Sequence, residues 1–173
     1  MKRGPKNSHN DISPEEVRNL FDYDRLTGAL VWKKMLSMRA MPGKTAGCMD
    51  DQGRIKIGIR GKEYLAHRII WVWMTGEWPE YEIDHRDEVK YNNRWNNLRK
   101  ATPSQNHRNR GPNKNNTSGY KGVCYVAKRK CWIAGIKLNG YRHNLGSFTS
   151  AKAAHEAYCA AAKRLHGEFA KVH

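Results

Sequence analysis

Acidic side chains are scarce in this 173-residue chain. It carries 16 Asp and Glu against 32 Lys and Arg, a formal net charge of +16 with histidine neutral. Its sequence pI is near 9.9. Long apolar runs are also missing. No stretch approaches the ~18 consecutive apolar residues of a membrane-spanning helix. The opening Met1-Lys2-Arg3-Gly4-Pro5-Lys6 leads into no apolar segment, so neither a membrane anchor nor a secretory leader is expected. Cysteine is sparse and scattered: Cys48, Cys124, Cys131 and Cys159 contain no C-x-x-C pair. That argues against a structural zinc site and for reduced thiols inside a cell, although a hairpin could bring Cys124 and Cys131 face to face. What is present suffices for packed cores, with 39% hydrophobic residues and six Trp. The length suits one ordinary domain or two small ones. The charge excess points to a polyanionic partner, nucleic acid before a membrane surface.

Local patterns divide the chain. Residues 1–12 are polar and basic and read as a flexible arm. Ser13-Pro14-Glu15-Glu16 is a helix start, and the helix is predicted to run through Val17, Leu20 and Phe21. Ala29–Lys33 reads as a short strand. Gly53–Tyr64 reads as a hairpin turning at Arg60-Gly61-Lys62. Leu65, Ile69, Val72 and Trp73 then recur at helical spacing until Gly76 and Pro79. Residues 111–118 lie in a stretch without apolar side chains and read as a linker. Beyond it, Val123–Val126, Trp132–Leu138 and Tyr141–Leu145 are three predicted strands, with turns at 127–130 and Asn139-Gly140. An Ala-rich helix capped by Thr149 or Ser150 follows, to about Leu165. Residues 1–110 hold 21 basic and 14 acidic side chains; residues 111–173 hold 11 and 2. The smaller unit is therefore the more basic, as a binding module would be.

One segment could carry chemistry. Ile83-Asp84-His85 is followed by Asn92-Asn93, Asn96-Asn97-Leu98 and Ser104-Gln105-Asn106-His107. Hydrolysis of a phosphodiester needs a base for water and a hard cation for the phosphate. A neutral imidazole suits the first task; carboxylate and amide oxygens suit the second. On a strand, Asp84 and His85 would point to opposite sides and could serve the two tasks separately. His67, ahead of an apolar helix, reads as a packed or capping histidine. Arg68, Arg86, Arg94, Arg99, Arg108 and Arg110 are possible phosphate contacts. Trp71, Trp73, Trp78 and Trp95 read as packing residues.

The spacing I-D-H-x6-N-N-x2-N-N-L-R-x2-T-x2-Q-N, with Leu65-Ala66-His67-Arg68 and Trp78-Pro79 before it, resembles the HNH endonucleases, particularly those of phages. The resemblance covers roughly residues 13–110. It implies a ββα-metal nuclease unit in which Asp84 and Asn106 are ligands of one divalent cation, Mg²⁺ or Mn²⁺. His85 would be the general base and Asn97 would brace the loop that orients it. Where the family letters require a second histidine this chain has Asn106, and His107 is its rival for the second ligand position.

About residues 117–171 resemble the AP2 DNA-binding domain through Tyr120-Lys121-Gly122-Val123, Trp132-Ile133-Ala134-Gly135-Ile136, Leu145-Gly146-Ser147-Phe148-Thr149 and Ala153-Ala154-His155-Glu156-Ala157-Tyr158. The resemblance implies a three-stranded antiparallel sheet with one packed helix, the sheet lying in the major groove. Candidate DNA contacts are Lys128, Arg129, Lys130, Lys137, Tyr141, Arg142 and His143. Cys124 and Val126 stand where the family carries guanine-reading arginines, so binding dominated by phosphate is expected. By alternation Trp132, Ala134 and Ile136 share one face and Cys131, Ile133, Gly135 and Lys137 the other. Which face meets DNA is left open. The expectation is thus a two-domain α+β protein: a flexible arm (1–12), a nuclease domain (13–110), a linker (111–118) and an AP2-like domain (119–173). It would be a monomeric, homing-type phage enzyme in the host cytoplasm, acting on double-stranded DNA without a small-molecule cofactor. The alternative is a non-catalytic DNA-binding or transcription-regulating protein.

Overall fold

The computed structural model describes residues 12–108, 115–138 and 140–170, with side chains as far as Asn106 in the first of these. The protein is α+β and divides into two compact units, Met1–Lys100 and Ala101–His173. Among the described residues no helix is long and apolar enough to cross a membrane.

In the first unit α1 (Pro14–Leu20) starts where the sequence places it. Ser13 Oγ accepts the Glu16 N–H at 3.1 Å, and Glu15 and Glu16 lie at the positive helix end. The helix stops one residue short of the predicted Phe21. Phe21 is extended (φ −132°, ψ 143°) and opens β1 (Phe21–Tyr23), antiparallel to β2 (Leu30–Trp32). Phe21 faces Trp32 there with ring centroids 4.5 Å apart. That cross-strand aromatic pair is a larger gain than one more helical residue.

The predicted hairpin is β4 (Ile55–Ile59) and β5 (Lys62–Leu65), with β3 (Cys48–Met49) on the far edge of β4. Its turn is Arg60-Gly61, with φ of 49° and 78°, as a two-residue connection between right-twisted strands requires. Then comes α2 (Ala66–Thr75), closed by Gly76 at φ 79°, whose N–H bonds the Val72 carbonyl. Ile69, Ile70 and Val72 bury against Val17, Leu20, Phe21, Ile57 and Ile59 in one core. Trp71 is buried, and Trp73, Trp78 and Trp95 pack around that core. The Trp73 and Trp78 ring N–H groups donate to the Phe21 and Ile12 carbonyls. These tryptophans are packing residues, and Ile12 itself is buried.

β6 (Glu82–His85) and β7 (Leu98–Ala101) pair in a two-stranded sheet, and α3 (Pro103–Arg108) is next in the chain. In the second unit β8 (Val123–Val126), β9 (Cys131–Leu138) and β10 (Tyr141–Phe148) form an antiparallel sheet in the order β10-β9-β8. Ser150 caps α4 (Ala151–His166) through a 3.2 Å bond from the Ala153 N–H. Ala154 packs with Val123 and Ala134, and Tyr158, Ala161 and Ala162 pack with Ile136. The small side chains let helix and sheet approach closely. At Gly122 (φ 76°) a Cβ would sit 2.3 Å from the Tyr158 ring. Cys124 stands opposite Ile133 and Cys131 opposite Val126. The two thiols are diagonal neighbours on one face, not directly opposed. Asn139 of the predicted turn, the arm through residue 11, residues 109–110 of the expected nuclease domain and residues 111–114 of the expected linker lie outside the described residues.

Candidate active site

Asp84 and His85 end β6, and both are buried, at 5% and 6% exposure. Asp84 is paired with Arg99 of β7: Arg99 Nε donates to Oδ2 at 2.8 Å, and Nη2 lies 2.8 Å from the same oxygen. Arg99 is equally buried. A carboxylate out of water is tolerated when a guanidinium answers its charge at this distance. In the sequence Arg99 is one of six possible phosphate contacts; in the fold it is the counter-charge of Asp84. Arg68 and Arg94 are also engaged within the unit. Arg68 donates to the Pro79 and Tyr81 carbonyls, and Arg94 to that of Leu26. Arg86 is exposed. The Arg108 side chain and Arg110 lie outside the described residues.

His85 Nε2 is 2.9 Å from Asn93 Oδ1. The ring also meets His67, edge to face, with centroids 5.2 Å apart. His67 sits in the first turn of α2 at 7% exposure. Burial, with help from the charges of His85, Arg68 and Arg54, lowers its pKa to about 3. It is therefore neutral at physiological pH.

Residues 86–97 connect β6 to β7, and Asn97 ties that loop together. Its Nδ2 donates to the Asn92 carbonyl at 2.7 Å and to Asp87 Oδ1 at 2.8 Å, and its Oδ1 accepts the Asp87 N–H at 3.1 Å. Its own carbonyl accepts the Arg86 N–H at 2.9 Å. Asn92 Nδ2 adds a 2.6 Å bond to Asp87 Oδ2. Burial alone would raise the Asp87 carboxyl, but the bonds from Asn92 and Asn97 prevail and hold it below the usual range.

Asn106 lies on α3, in the second compact unit, with its N–H on the Thr102 carbonyl at 3.0 Å. The His107 side chain lies outside the described residues. Among the described residues no three His, Cys, Asp or Glu side chains gather into a ready cation cage. Mg²⁺ does not need one. It usually takes one or two carboxylates and completes its octahedron with waters and substrate phosphate.

In the second unit Ala134 and Ile136 bury under α4, so the register settles which face is open. Lys137 stands opposite Arg142, Gly135 opposite Asn144 and Ile133 opposite Cys124. Their side chains share the face away from the helix. Arg142 lies across that face. A Cβ on Gly135 would sit 2.9 Å from Arg142 Nε, and Arg142 Nη2 is 3.9 Å from Cys124 Sγ. Tyr141 and His143 stand opposite Leu138 and Ile136, so they start from the helix-side face, though exposed. Lys128, Arg129 and Lys130 are exposed in the β8–β9 turn, where Lys130 takes φ 47°.

The sequence segment that builds this buried Asp-His pair and its asparagine-tied loop is the one that comparison with known proteins singles out. The HNH endonuclease family matches residues 64–108. Protein 3.8 of Escherichia phage T7 is 34% identical over 106 residues, which span 61% of this chain and 87% of that protein. The uncharacterized HNH endonuclease L560 of Acanthamoeba polyphaga mimivirus is 34% identical over 111 residues, 64% of this chain and 57% of that one. A structure described as DNA binding and cleavage by the HNH homing endonuclease I-HmuI aligns over 94% of this chain and 91% of its own, with 21% identity and a TM-score of 0.43. The class is thus that of the nucleases. Within it, the chain belongs to the HNH endonuclease family.

Sequence reasoning misses three contributors. Asn93 stands in the Asn92-Asn93 pair, but nothing in the sequence assigns it a task. Arg99 reads as one more surface arginine. Tyr23 reaches the site from 70 residues away, its hydroxyl donating to the Asn93 carbonyl at 2.8 Å. Only the asparagine pair offers a signal, since family spacing frames it.

Proposed function

We propose that the protein is a divalent-metal-dependent endonuclease that hydrolyses DNA phosphodiester bonds, tethered to its substrate by its second unit. The observation that carries this is the adjacency of a buried imidazole, held from one side by an amide, and a buried carboxylate on one strand. His85 takes the proton of a water, whose oxygen forms the new bond to phosphorus as the P–O3′ bond breaks. Asp84 on β6 and Asn106 on α3 would hold the cation; their hard oxygens suit Mg²⁺ or Mn²⁺. When bound, the cation polarises the phosphate and stabilises the leaving 3′-oxygen. Asn97 fixes the loop that follows His85. His107 remains the rival of Asn106, and a homing-type role in a phage fits the same reading.

The second unit, with the three-stranded sheet and packed helix of an AP2-like domain, offers its open face to the duplex. Lys137 and Arg142 on that face, with Lys128, Arg129 and Lys130 at its end, supply the phosphate contacts. Tyr141 and His143 are the weaker members of the contact set because they start from the other face. Binding through such a module raises the local concentration of DNA at the nuclease unit without adding chemistry.

The test is nicking of a supercoiled plasmid with Mg²⁺ or Mn²⁺, with His85→Ala alongside. The expected outcome is metal-dependent nicking by the native chain and none by the variant. DNA binding by both and cutting by neither would refute the enzymatic reading and leave a DNA-binding protein.

A further inference from the structure

Asn97 is the asparagine that family spacing marks, yet the asparagine that touches the imidazole is Asn93. We infer that Asn93 is a positioning residue that sets the tautomer of His85, and that a strut from the first strand holds it in place. This rests on the reading of His85 as the base.

Asn93 is 2% exposed, and its Oδ1 is 2.9 Å from His85 Nε2. An amide oxygen only accepts, so the imidazole proton belongs on Nε2 and the basic lone pair on Nδ1. The orientation of Asn93 is secured through its backbone. The Tyr23 hydroxyl donates to its carbonyl at 2.8 Å. Burial pushes the Tyr23 hydroxyl up to about 12, so it remains a donor across the neutral range. The turn after β1 closes on the same segment. Gly28 lies so near that a Cβ there would be 2.7 Å from the Asn93 carbonyl carbon and 2.6 Å from the Arg94 nitrogen. Its φ of 81° is itself a glycine conformation. Arg94 Nε, in turn, donates to the Leu26 carbonyl. The Asn93 backbone is thus gripped from β1 and its turn, and its side chain transmits that position to His85. His67 meets the same ring edge to face. A histidine in the wrong tautomer presents an N–H where a base is needed, which is why such orienting partners matter.

Long-range ¹H–¹⁵N NMR of the full chain reads the tautomer directly, and plasmid nicking kinetics read its consequence. In the native chain His85 should be protonated at Nε2. In Asn93→Leu the Nδ1–H form should appear, and kcat should fall about 10–100-fold with KM little changed. Asn93→Asp keeps an acceptor, so it should restore the Nε2–H form and most of kcat. A native spectrum showing Nδ1–H overturns the inference whether or not any variant folds. A shifted tautomer with unchanged kcat overturns the positioning role. If the tautomers behave as stated but the native chain cuts no DNA, the hydrogen-bond assignment stands and the nuclease reading falls.

Discussion

Acidification should destabilise the first unit through one residue, His67. In the unfolded chain this imidazole titrates near 6.5, whereas in the fold burial lowers it to about 3. Between those values the unfolded chain binds a proton and the folded chain does not. The stabilisation is therefore complete above pH 6.5 and is lost as the pH falls toward 3. At about pH 5 the loss is roughly 1.5 pK units at 1.36 kcal/mol each, or about 2 kcal/mol. Near pH 3 it approaches a ceiling of about 5 kcal/mol. The guanidinium charges of Arg68 and Arg54 oppose protonation of His67, as would a proton on His85.

The assay is urea unfolding at about pH 7.5 and about pH 5, followed by tryptophan fluorescence. Five of the six tryptophans, Trp32, Trp71, Trp73, Trp78 and Trp95, lie in the first unit, so the signal reports it. His67→Leu removes the titration and keeps an apolar group among its neighbours. The native chain should lose about 2 kcal/mol more than the variant between the two conditions. Equal losses would refute the argument that His67 is held neutral by burial.

Three further outcomes follow from the geometry. Arg99→Met leaves the Asp84 carboxylate buried without its counter-charge and should cost about 3–5 kcal/mol in urea unfolding; the double change with Asp84→Asn should recover much of it. Asn97→Ala removes the ties among Asp87, Asn92 and residue 97, and should speed hydrogen exchange of the loop amides with a loss of about 1–3 kcal/mol in stability. Replacing Lys128, Arg129 and Lys130 by Ala should flatten the dependence of log K on log salt by about 0.9 for each phosphate no longer neutralised, measured by fluorescence anisotropy on duplex DNA, whereas His143→Ala should leave the slope near that of the native chain.

Elements fixed by local chemistry were legible: the Ser13 cap, the Arg60-Gly61 turn and the helix stop at Gly76 each depend on a few adjacent residues, and the second cap was narrowed to Thr149 or Ser150, of which the fold uses Ser150. The end of α1 was not, because Phe21 leaves the helix for a partner, Trp32, eleven residues away. The open face of the second sheet was not, because alternation is symmetric until a helix covers one side. At the site, the Asp84-His85 pair was visible as chemistry on a strand. Its partners were not. An arginine reads as surface until a strand pairing places Arg99 beside Asp84, and nothing near Tyr23 announces a hydroxyl aimed at residue 93.

That separation bears on how much of the chain the chemistry needs. The family match spans residues 64–108, which include Asp84, His85, Asn93, Asn97, Arg99 and Asn106. Yet the core of the first unit, which carries all of these but Asn106, draws heavily on residues before 64: Val17, Leu20, Phe21, Leu30, Trp32, Ile57 and Ile59 are all buried in it. A fragment of residues 64–108 would keep every residue proposed for base, brace and cation while exposing the faces of α2 and β6 that those side chains cover. At about 1.5–3 kcal/mol for each large apolar side chain left without its burial, the loss exceeds the whole stability of a unit this size. The fragment should therefore be unfolded by circular dichroism and inactive on plasmid. The finer dependence is that of Tyr23 on Asn93. Tyr23→Phe leaves the core nearly filled and removes one hydrogen bond, worth about 1 kcal/mol in stability. If that bond helps to fix the imidazole, nicking should fall more than the stability loss can explain, since nearly all of the variant is still folded. A Tyr23→Phe protein as active as the native chain would show that the first strand supports the fold but does not aim the base.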